Sequence, residues 1–225
     1  MSQKAIVFDV DGTLIDSVDL HARAWQEAFT EVGKQIIYGD LRTQIGKGAD
    51  LLVPHFISQE EVERLGKKIA KRQEEIFKKQ YSSRVRPFSC VPELFRSLQK
   101  EAWKVVLASS GRRQEVDRHK KLLQIESLTD LEVSSDEVER SKPHPDIFEL
   151  VLRKLNGLDP SRVLAVGDTP YDVKAASGAQ IRTVALLCGG FPEKALMAAG
   201  AVAVFRSPAE LLFRYEDWCH FVRAN

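Results

Sequence analysis

The chain has 225 residues, 44% of them hydrophobic, which is enough to bury the core of one or two domains. Its 33 Lys and Arg residues nearly balance 32 Asp and Glu residues, so no overall positive charge points to nucleic acid or to an anionic membrane. Cys90, Cys188 and Cys219 are widely spaced without a CxxC pair, which argues against a disulfide framework or a zinc ribbon.

The first predicted element is a strand over residues 5–8, whose apolar run indicates burial on both faces. Asp9 and Asp11 end this run too early for a signal peptide, and no apolar run reaches the roughly 18–20 residues of a membrane span. We therefore expect a cytoplasmic protein. Burying two carboxylates at a strand end is costly unless they are paired or bind a metal ion.

Residues 17–85 contain no convincing strand and have charge-rich, amphipathic helical patterns. Ser58 and Glu61 fit a capping box at the start of one helix, whose mixed charges indicate a solvated face rather than a nucleic-acid site. The simplest organisation is a core of residues 1–16 and 86–225 with an inserted helical cap of residues 17–85. The ends of the insert, near Asp16 and residues 84–87, should then lie close together.

After the insert, predicted strands alternate with helical patterns. The strands cover residues 105–108, 131–134, 163–166, 183–187 and 201–205. Such alternation predicts an α/β fold with a mostly parallel sheet covered by helices on both faces.

Four polar segments lie near the predicted strand ends, where ligands bind in open α/β sheets. They are DVDGT at 9–13, SSG at 109–111, SKPHPD at 141–146 and GDTPYD at 167–172. Each has a bland explanation by itself: an aspartate turn, a loop, a surface lysine at Lys142, and a helix cap at Asp168 or Thr169. Together they predict one site.

Convergence of these segments would bring together up to four carboxylates, those of Asp9, Asp11, Asp168 and Asp172. Such a group needs a cation, and an oxygen-rich set without a nearby His or Cys favours Mg²⁺. Lys142 would add a positive charge, and a turn at Ser109, with the amides of Ser110 and Gly111, suits an anion. These parts fit phosphoryl transfer, in which one aspartate attacks and the other moves protons.

The four motifs FDVDGT, VLASS, SKPHPD and VGDTPYD, in this order, resemble those of the haloacid dehalogenase-like superfamily, in its helical-capped phosphatase branch. The resemblance covers essentially the whole chain and implies a Rossmann-like core with a movable cap. It also implies the role of each motif residue. Asp9 is the phosphorylated nucleophile and a Mg²⁺ ligand, Asp11 the acid/base with its carbonyl on the metal, Ser109 and Lys142 phosphoryl contacts, Asp168 and Asp172 metal residues, and Thr13, Ser110 and Gly111 substrate-binding residues.

Within this superfamily Asp11 argues against dehalogenases, and the short chain argues against transport ATPases. A phosphosugar mutase resembling β-phosphoglucomutase remains the rival, because residues 21–25, HARAW, match its first cap helix, with His21 near the acid/base. The alternative for His21 is a place on the rim of the cap core. GDTPYD favours the phosphatases that resemble phosphoglycolate phosphatase. A non-catalytic protein on this fold would be expected to lose the nucleophile or the metal-binding aspartates. This chain retains them in both FDVDGT and GDTPYD.

Lys47, in the glycine-rich segment 45–48, could bind a second anionic group of the substrate, or the segment could be an ordinary turn. We therefore expect a Mg²⁺-dependent phosphatase that acts on a small phosphorylated metabolite, phosphoglycolate or a sugar phosphate. We expect no nucleic-acid or membrane partner and a monomer or a homodimer.

Overall fold

The computed structural model describes residues 3–222. Its strands are β1 Lys4–Phe8, β2 Ile15–Asp16, β3 Arg86–Pro87, β4 Trp103–Ala108, β5 Leu131–Val133, β6 Val163–Gly167, β7 Arg182–Leu186 and β8 Ala203–Phe205. Within the described residues six strands form one parallel sheet in the order β5-β4-β1-β6-β7-β8. The predicted α/β fold is confirmed, and every pair in this sheet is parallel.

Helices follow almost every strand. They are α1 Val18–Thr30, α2 Tyr38–Arg42, α3 Ala49–Phe56, α4 Gln59–Ile76, α5 Val91–Lys100, α6 Arg113–Leu123, α7 Asp146–Lys154, α8 Pro170–Gly178, α9 Glu193–Ala199 and α10 Pro208–Phe213. A π-helical turn, Phe77–Tyr81, continues α4. Among the described residues, none of the helices combines the length and the apolar character that crossing a membrane requires.

The segment predicted as an insert is helical, with α1 to α4 lying between β2 and β3. β2 and β3 pair antiparallel, with Ile15 opposite Pro87 and Asp16 opposite Arg86, so the two ends of the segment meet as expected. The capping box of Ser58 and Glu61 also forms at the start of α4. The division into two domains at residues 16/17 and 85/86 stays a prediction.

Alternate residues of β1 face opposite layers, as the two-residue repeat of a strand requires. Ile6 and Phe8 join the apolar cluster that includes α5, where the rings of Phe8 and Phe95 lie 5.0 Å apart. Ala5 and Val7 pack with residues of α7 and α8 on the other face. Burial on both faces explains why β1 reads as a continuous apolar run.

The sheet order decides where the polar segments meet. β1 lies between β4 and β6, so the residues that follow these three strands, Asp9, Ser109 and Asp168, emerge at one edge. The ladder continues past β1, because the Asp9 amide donates to the carbonyl of Val166 at 2.9 Å. The fold thereby fixes the backbone of Asp9 beside β6.

Candidate active site

Three buried carboxylates meet at the strand ends. One oxygen each of Asp9, Asp168 and Asp172 lies within 4.8 Å of the others, and all three residues are buried. Asp9 and Asp168 directly follow β1 and β6. Asp172 lies in the first turn of α8, where its backbone amide donates to the N-cap Thr169 Oγ1 at 3.1 Å.

The capping box of α8 also orients the acid. Oδ2 of Asp172 accepts hydrogen bonds from the Thr169 amide at 3.0 Å and from the Thr169 hydroxyl at 2.7 Å. Its Oδ1 is thereby left to face the cluster. Thr169 therefore caps the helix, one of the two predicted alternatives, and the same bonds build part of the site.

Lys142 bridges two of these carboxylates from within the protein. Its side chain is 1% exposed, and Nζ donates to Asp9 Oδ1 at 2.5 Å, to Asp172 Oδ1 at 2.7 Å and to the carbonyl of Ala108 at 3.3 Å. The two carboxylates raise the pKa of Lys142 against the opposing effect of burial. Lys142 is thus a buried cation of the site, and the alternative of a surface lysine is wrong.

Asp168 is crowded on all sides. Thr13 Oγ1 donates to its Oδ1 at 2.6 Å and lies 3.3 Å from Asp9 Oδ2, so Thr13 serves the acidic cluster in this structure. Oδ2 of Asp168 is buried without a hydrogen-bond partner in residues 3–222. A Cβ on Gly12 would lie 2.4 Å from that oxygen and one on Gly189 1.7 Å, so both positions require glycine. The substrate-binding role of Thr13 stays a prediction.

The electrostatics of the cluster fit a divalent cation. One lysine faces three carboxylates, so full ionisation of the cluster would leave two negative charges unbalanced. Burial raises the pKa of Asp9 to about 7, although Lys142 opposes the rise, and burial with Asp172 and Asp9 raises that of Asp168. The unpartnered Asp168 Oδ2 and an all-oxygen donor set suit a hard ion such as Mg²⁺.

The carboxylate of Asp11 lies outside this cluster, so three of the up to four expected carboxylates converge. Asp11 Oδ1 accepts a hydrogen bond from Ser17 Oγ at 2.6 Å and lies 3.2 Å from His21 Nε2. Burial by itself raises the pKa of Asp11, but the hydrogen bond and charge of His21 outweigh it and lower that pKa below its usual range. The carboxylates of Asp11 and Asp9 therefore have different hydrogen-bond partners: Ser17 and His21 for Asp11, and Lys142 for Asp9.

His21 is held in place from three sides. Its ring stacks on Phe77 with centroids 3.8 Å apart, and its Nδ1 is 3.3 Å from Gln73 Nε2. Asp11 raises the pKa of His21 against the opposing effect of burial, so the ring keeps a proton on Nε2, which donates to Asp11. The prediction that His21 lies near Asp11 is confirmed, and its role in substrate binding stays a prediction.

The turn predicted to bind an anion, residues 109–111, makes hydrogen bonds within the protein. The Gly111 amide donates to Ser109 Oγ at 3.0 Å, and the Ser110 hydroxyl donates to the carbonyl of Gly46 at 3.1 Å. Ser109 itself is buried beside the cluster. The substrate contacts of these residues stay predictions.

Three hydrogen bonds join residues 43–50 to the loops at the strand ends. Besides the bond from Ser110 to Gly46, the Tyr171 hydroxyl donates to the carbonyl of Thr43 at 2.7 Å, and the Ser141 amide donates to Asp50 Oδ2 at 3.2 Å. A cleft of about 480 Å³ lies beneath this junction and reaches Asp9 and Asp11. The helical segment therefore covers the acidic cluster.

Lys47 lines this cleft, but its ammonium group is engaged elsewhere. Nζ donates to Gln44 Oε1 at 2.5 Å and lies 4.7 Å from the ring centroid of Tyr171. Burial and the nearby Lys174 lower the pKa of Lys47. Contact of Lys47 with a second anionic group of the substrate stays a prediction.

Sequence reasoning missed several residues around the site. Cys188 Sγ donates to the carbonyl of Gly12 at 3.2 Å, next to the acidic cluster but not part of it. Gln73 and Glu115 flank His21 from α4 and α6. The pair of glycines at 189 and 190 after a predicted strand indicates a close approach of the backbone and could have pointed to Gly189. Gln73 and Glu115 belong to no recognisable motif.

Comparison with known proteins agrees with this geometry. The family model described as haloacid dehalogenase-like hydrolase matches residues 6–186. A phosphorylated carbohydrates phosphatase of Thermotoga maritima is 29% identical over 214 residues, 93% of this chain and 96% of the relative. A phosphoglycolate phosphatase of Aquifex aeolicus is 30% identical over 191 residues, 83% of this chain and 85% of the relative.

A solved structure shows the same fold over nearly the whole chain. The crystal structure of a hydrolase from Pseudomonas syringae is 30% identical, with a TM-score of 0.82, and the match covers 96% of this chain and 99% of that one. The strand-end motifs, the parallel sheet and the family match agree. The chain belongs to the haloacid dehalogenase-like hydrolase family.

Proposed function

We propose that the protein is a Mg²⁺-dependent phosphatase that hydrolyses a small phosphorylated metabolite through an aspartyl-phosphate on Asp9. The observation that carries the proposal is the pairing of two differently held aspartates. Asp9 lies in a buried cluster with Lys142, whereas Asp11 lies 3.2 Å from His21 at the edge of the cleft. The relatives named above, two phosphatases, support the reaction class.

In the first step Asp9 attacks the phosphorus atom and the bond from phosphorus to the leaving oxygen breaks. Asp11 donates the proton that the leaving alcohol needs. Oδ1 of Asp11 is engaged by Ser17 and His21, so Oδ2 would carry this proton, once the negative charge of the bound phosphate offsets the effect of His21 that lowers the pKa of Asp11. Lys142 and Ser109 neutralise and hold the phosphoryl oxygens.

In the second step Asp11 takes a proton from water, which attacks the phosphorus of the aspartyl-phosphate and releases inorganic phosphate and Asp9. The intermediate must be shielded from bulk water and must meet one positioned water molecule. Segment 43–50, which covers the cluster, would provide this shielding. Asp9, Asp168 and Asp172, with the carbonyl of Asp11, would hold Mg²⁺, which supplies charge neutralisation of the phosphoryl group when bound.

A phosphosugar mutase is the second candidate, favoured by the position of His21 beside Asp11. A mutase returns the phosphoryl group to another hydroxyl of the sugar, whereas a phosphatase gives it to water. Incubation with β-glucose 1-phosphate separates the two, because it yields inorganic phosphate in one case and glucose 6-phosphate in the other. We expect inorganic phosphate. A cytoplasmic location and a monomer or homodimer remain part of the proposal.

Hydrolysis of p-nitrophenyl phosphate tests the proposal directly. We expect activity that requires Mg²⁺, disappears with a chelator and is lost in Asp9→Asn, because an amide cannot form the acyl phosphate. A matched control is Asp117→Asn, which removes an exposed carboxylate on α6. Activity that persists in Asp9→Asn, or no activity in the wild type, would refute the proposal.

A further inference from the structure

Besides the three hydrogen bonds of residues 43–50, Arg42 in α2 joins the helical segment to the strand-end loops. Arg42 Nη2 donates to the carbonyl of Gly189 at 3.2 Å, in the turn that follows β7. Nε of the same guanidinium donates to Asp19 Oδ1 at 2.6 Å, and the Tyr38 hydroxyl donates to that oxygen at 2.8 Å. Arg42 therefore links α1 and α2 to the turn at Gly189.

The turn formed by residues 187–190 leaves room for this guanidinium only because it ends in glycine. The Gly190 amide donates to the carbonyl of Leu187 at 2.9 Å, and Gly190 has a φ of +88°. A Cβ on Gly190 would lie 2.4 Å from Arg42 Nη2, so a side chain there would displace the guanidinium. The partly exposed ion pair with Asp19 contributes little by itself, and the close contact with the turn distinguishes Arg42 from other surface arginines.

The same turn packs against Asp168 on its other side. A Cβ on Gly189 would lie 1.7 Å from Asp168 Oδ2, so the backbone of Gly189 lies directly against this carboxylate. Cys188 Sγ donates to the carbonyl of Gly12, whose backbone also packs on Oδ2, and Thr13 holds Oδ1 by its hydrogen bond. The orientation of the Asp168 carboxylate therefore depends on the position of the Gly189 backbone.

Arg42 is not placed to contact a substrate. Among the described residues that line the cleft Arg42 is absent, and its guanidinium is used on Asp19 and Gly189. Any effect of Arg42 on the acidic cluster must therefore pass through the backbone of Gly189. Groups that orient a metal ligand from outside the ligand set commonly affect metal affinity strongly.

We propose that Arg42 is a positioning residue for Mg²⁺ binding: through Gly189 it holds the carboxylate of Asp168, so that Mg²⁺ binds most tightly when residues 42–50 contact the strand-end loops. This inference rests on the Mg²⁺ site of the proposed function and adds to it a residue outside the four motifs. Because coupling between two equilibria is reciprocal, bound Mg²⁺ stabilises the contact of residues 42–50 with the loops to the same extent.

Calorimetric titration of the metal-free protein with Mg²⁺ tests the inference without any turnover. Arg42→Met, which keeps most of the side-chain length and removes the guanidinium, should weaken Mg²⁺ binding about three- to tenfold. Loss of a positive charge would by itself strengthen the binding of a cation, so weaker binding cannot arise from Coulomb attraction through space. Arg42→Lys keeps the charge but lacks the planar fork that reaches both acceptors, and it should weaken Mg²⁺ binding in the same direction.

Hydrolysis of p-nitrophenyl phosphate gives a second readout. The Mg²⁺ concentration needed for half-maximal activity should rise in both Arg42 variants, whereas kcat at saturating Mg²⁺ should stay within about twofold, because Arg42 touches no reacting atom. Arg72→Met is the matched control. Arg72 pairs with Glu31 at 2.6 Å and with Glu75 at 3.1 Å, both within residues 17–85, and its loss should leave the affinity for Mg²⁺ unchanged.

Three results would overturn the inference: wild-type Mg²⁺ affinity in both Arg42 variants, an equal loss of affinity in Arg72→Met, or a fall in kcat at saturating Mg²⁺ with unchanged affinity. If Arg42→Met fails to fold, Arg42→Lys alone decides. A wild type that is active with Mg²⁺, with unchanged affinity in the variants, refutes only the role of Arg42. A wild type that binds no Mg²⁺ refutes the metal site of the proposed function and this inference together.

Discussion

Lys142 is the residue whose environment is most unusual for its type. Lysines are rarely fully buried unless paired, and this one is 1% exposed between two carboxylates. In the absence of a metal ion it is the cation closest to the acidic cluster in the described residues. Its charge therefore stabilises the two buried carboxylates, and in the proposed reaction it would also neutralise the phosphoryl group.

We predict that Lys142→Met lowers the free energy of unfolding by about 3–5 kcal/mol in metal-free buffer, because it leaves buried carboxylates without their partner. It should also lower kcat by at least about 10²-fold, because the phosphoryl oxygens lose a positive charge. Urea unfolding and p-nitrophenyl phosphate hydrolysis measure the two effects.

Lys154→Met is the matched control for this variant. Lys154 pairs with Glu137 at the surface, with about a third of each side chain exposed, and an ion pair of this kind contributes at most about 1 kcal/mol. Its removal should leave activity unchanged. Equal losses in the two variants would contradict the role given to Lys142.

At the scale of elements, two helices begin with the same capping box but serve different purposes. Ser58 and Glu61 start α4 at the surface, and Thr169 and Asp172 start α8 inside the site. In the second box the N3 carboxylate also contacts Lys142. The cap of α8 therefore holds a residue of the acidic cluster in position.

We predict that Ser58→Ala and Thr169→Ala each lower the free energy of unfolding by about 1 kcal/mol, the usual contribution of an N-cap. Only Thr169→Ala should weaken Mg²⁺ binding, by about tenfold or more, because Asp172 loses the groups that orient it. Mg²⁺-dependent thermal shifts measure the affinity, and Thr169→Ser should restore it. Equal Mg²⁺ affinity in both alanine variants would show that the cap does not position Asp172.

The elements that carry the motifs were predictable from the sequence because their signals are local. Apolar runs gave the strands of the sheet, and the Ser58 box gave the start of α4. The direction of the Asp11 carboxylate was not predictable, since it depends on Ser17 and on His21 in α1. Glu115 and Gln73 were missed for the same reason: helix packing across the cleft, rather than spacing, brings them together.

At the scale of the whole molecule, the acidic cluster links stability to pH and to metal. Burial raises the pKa of Asp9 from its ordinary 3.8 to about 7, so the folded state without metal binds more protons than the unfolded state between these values. Stability therefore falls as pH rises through this window. The lowered pKa of Asp11 stabilises the folded state above its ordinary value of 3.8, and this contribution is lost only as pH falls below that value. The raised pKa of His21 adds to the fall in stability above its ordinary value of 6.5.

We predict that the metal-free protein loses up to about 1.4 kcal/mol of unfolding free energy per pH unit from Asp9 alone between pH 4.5 and 6. Asp9→Asn should flatten this part of the profile, and saturating Mg²⁺ should do so in the wild type, because a cation favours the ionised form. Urea unfolding at several pH values measures the slope. A wild-type profile that rises with pH in this window would contradict the charge surplus of the cluster.

In the proposed reaction Asp9 becomes phosphorylated and Asp11 directs the hydrolysis of the aspartyl-phosphate. Asp11→Asn should still react with p-nitrophenyl phosphate and Mg²⁺, since nitrophenolate leaves without protonation, but should hydrolyse the intermediate slowly. Intact-mass spectrometry after acid quench should then show one added phosphoryl group, mapped to the peptide that contains Asp9 and absent from the Asp9→Asn, Asp11→Asn double variant. An Asp11→Asn enzyme that turns over the ester without any such adduct, or carries it on another residue, would contradict the claim.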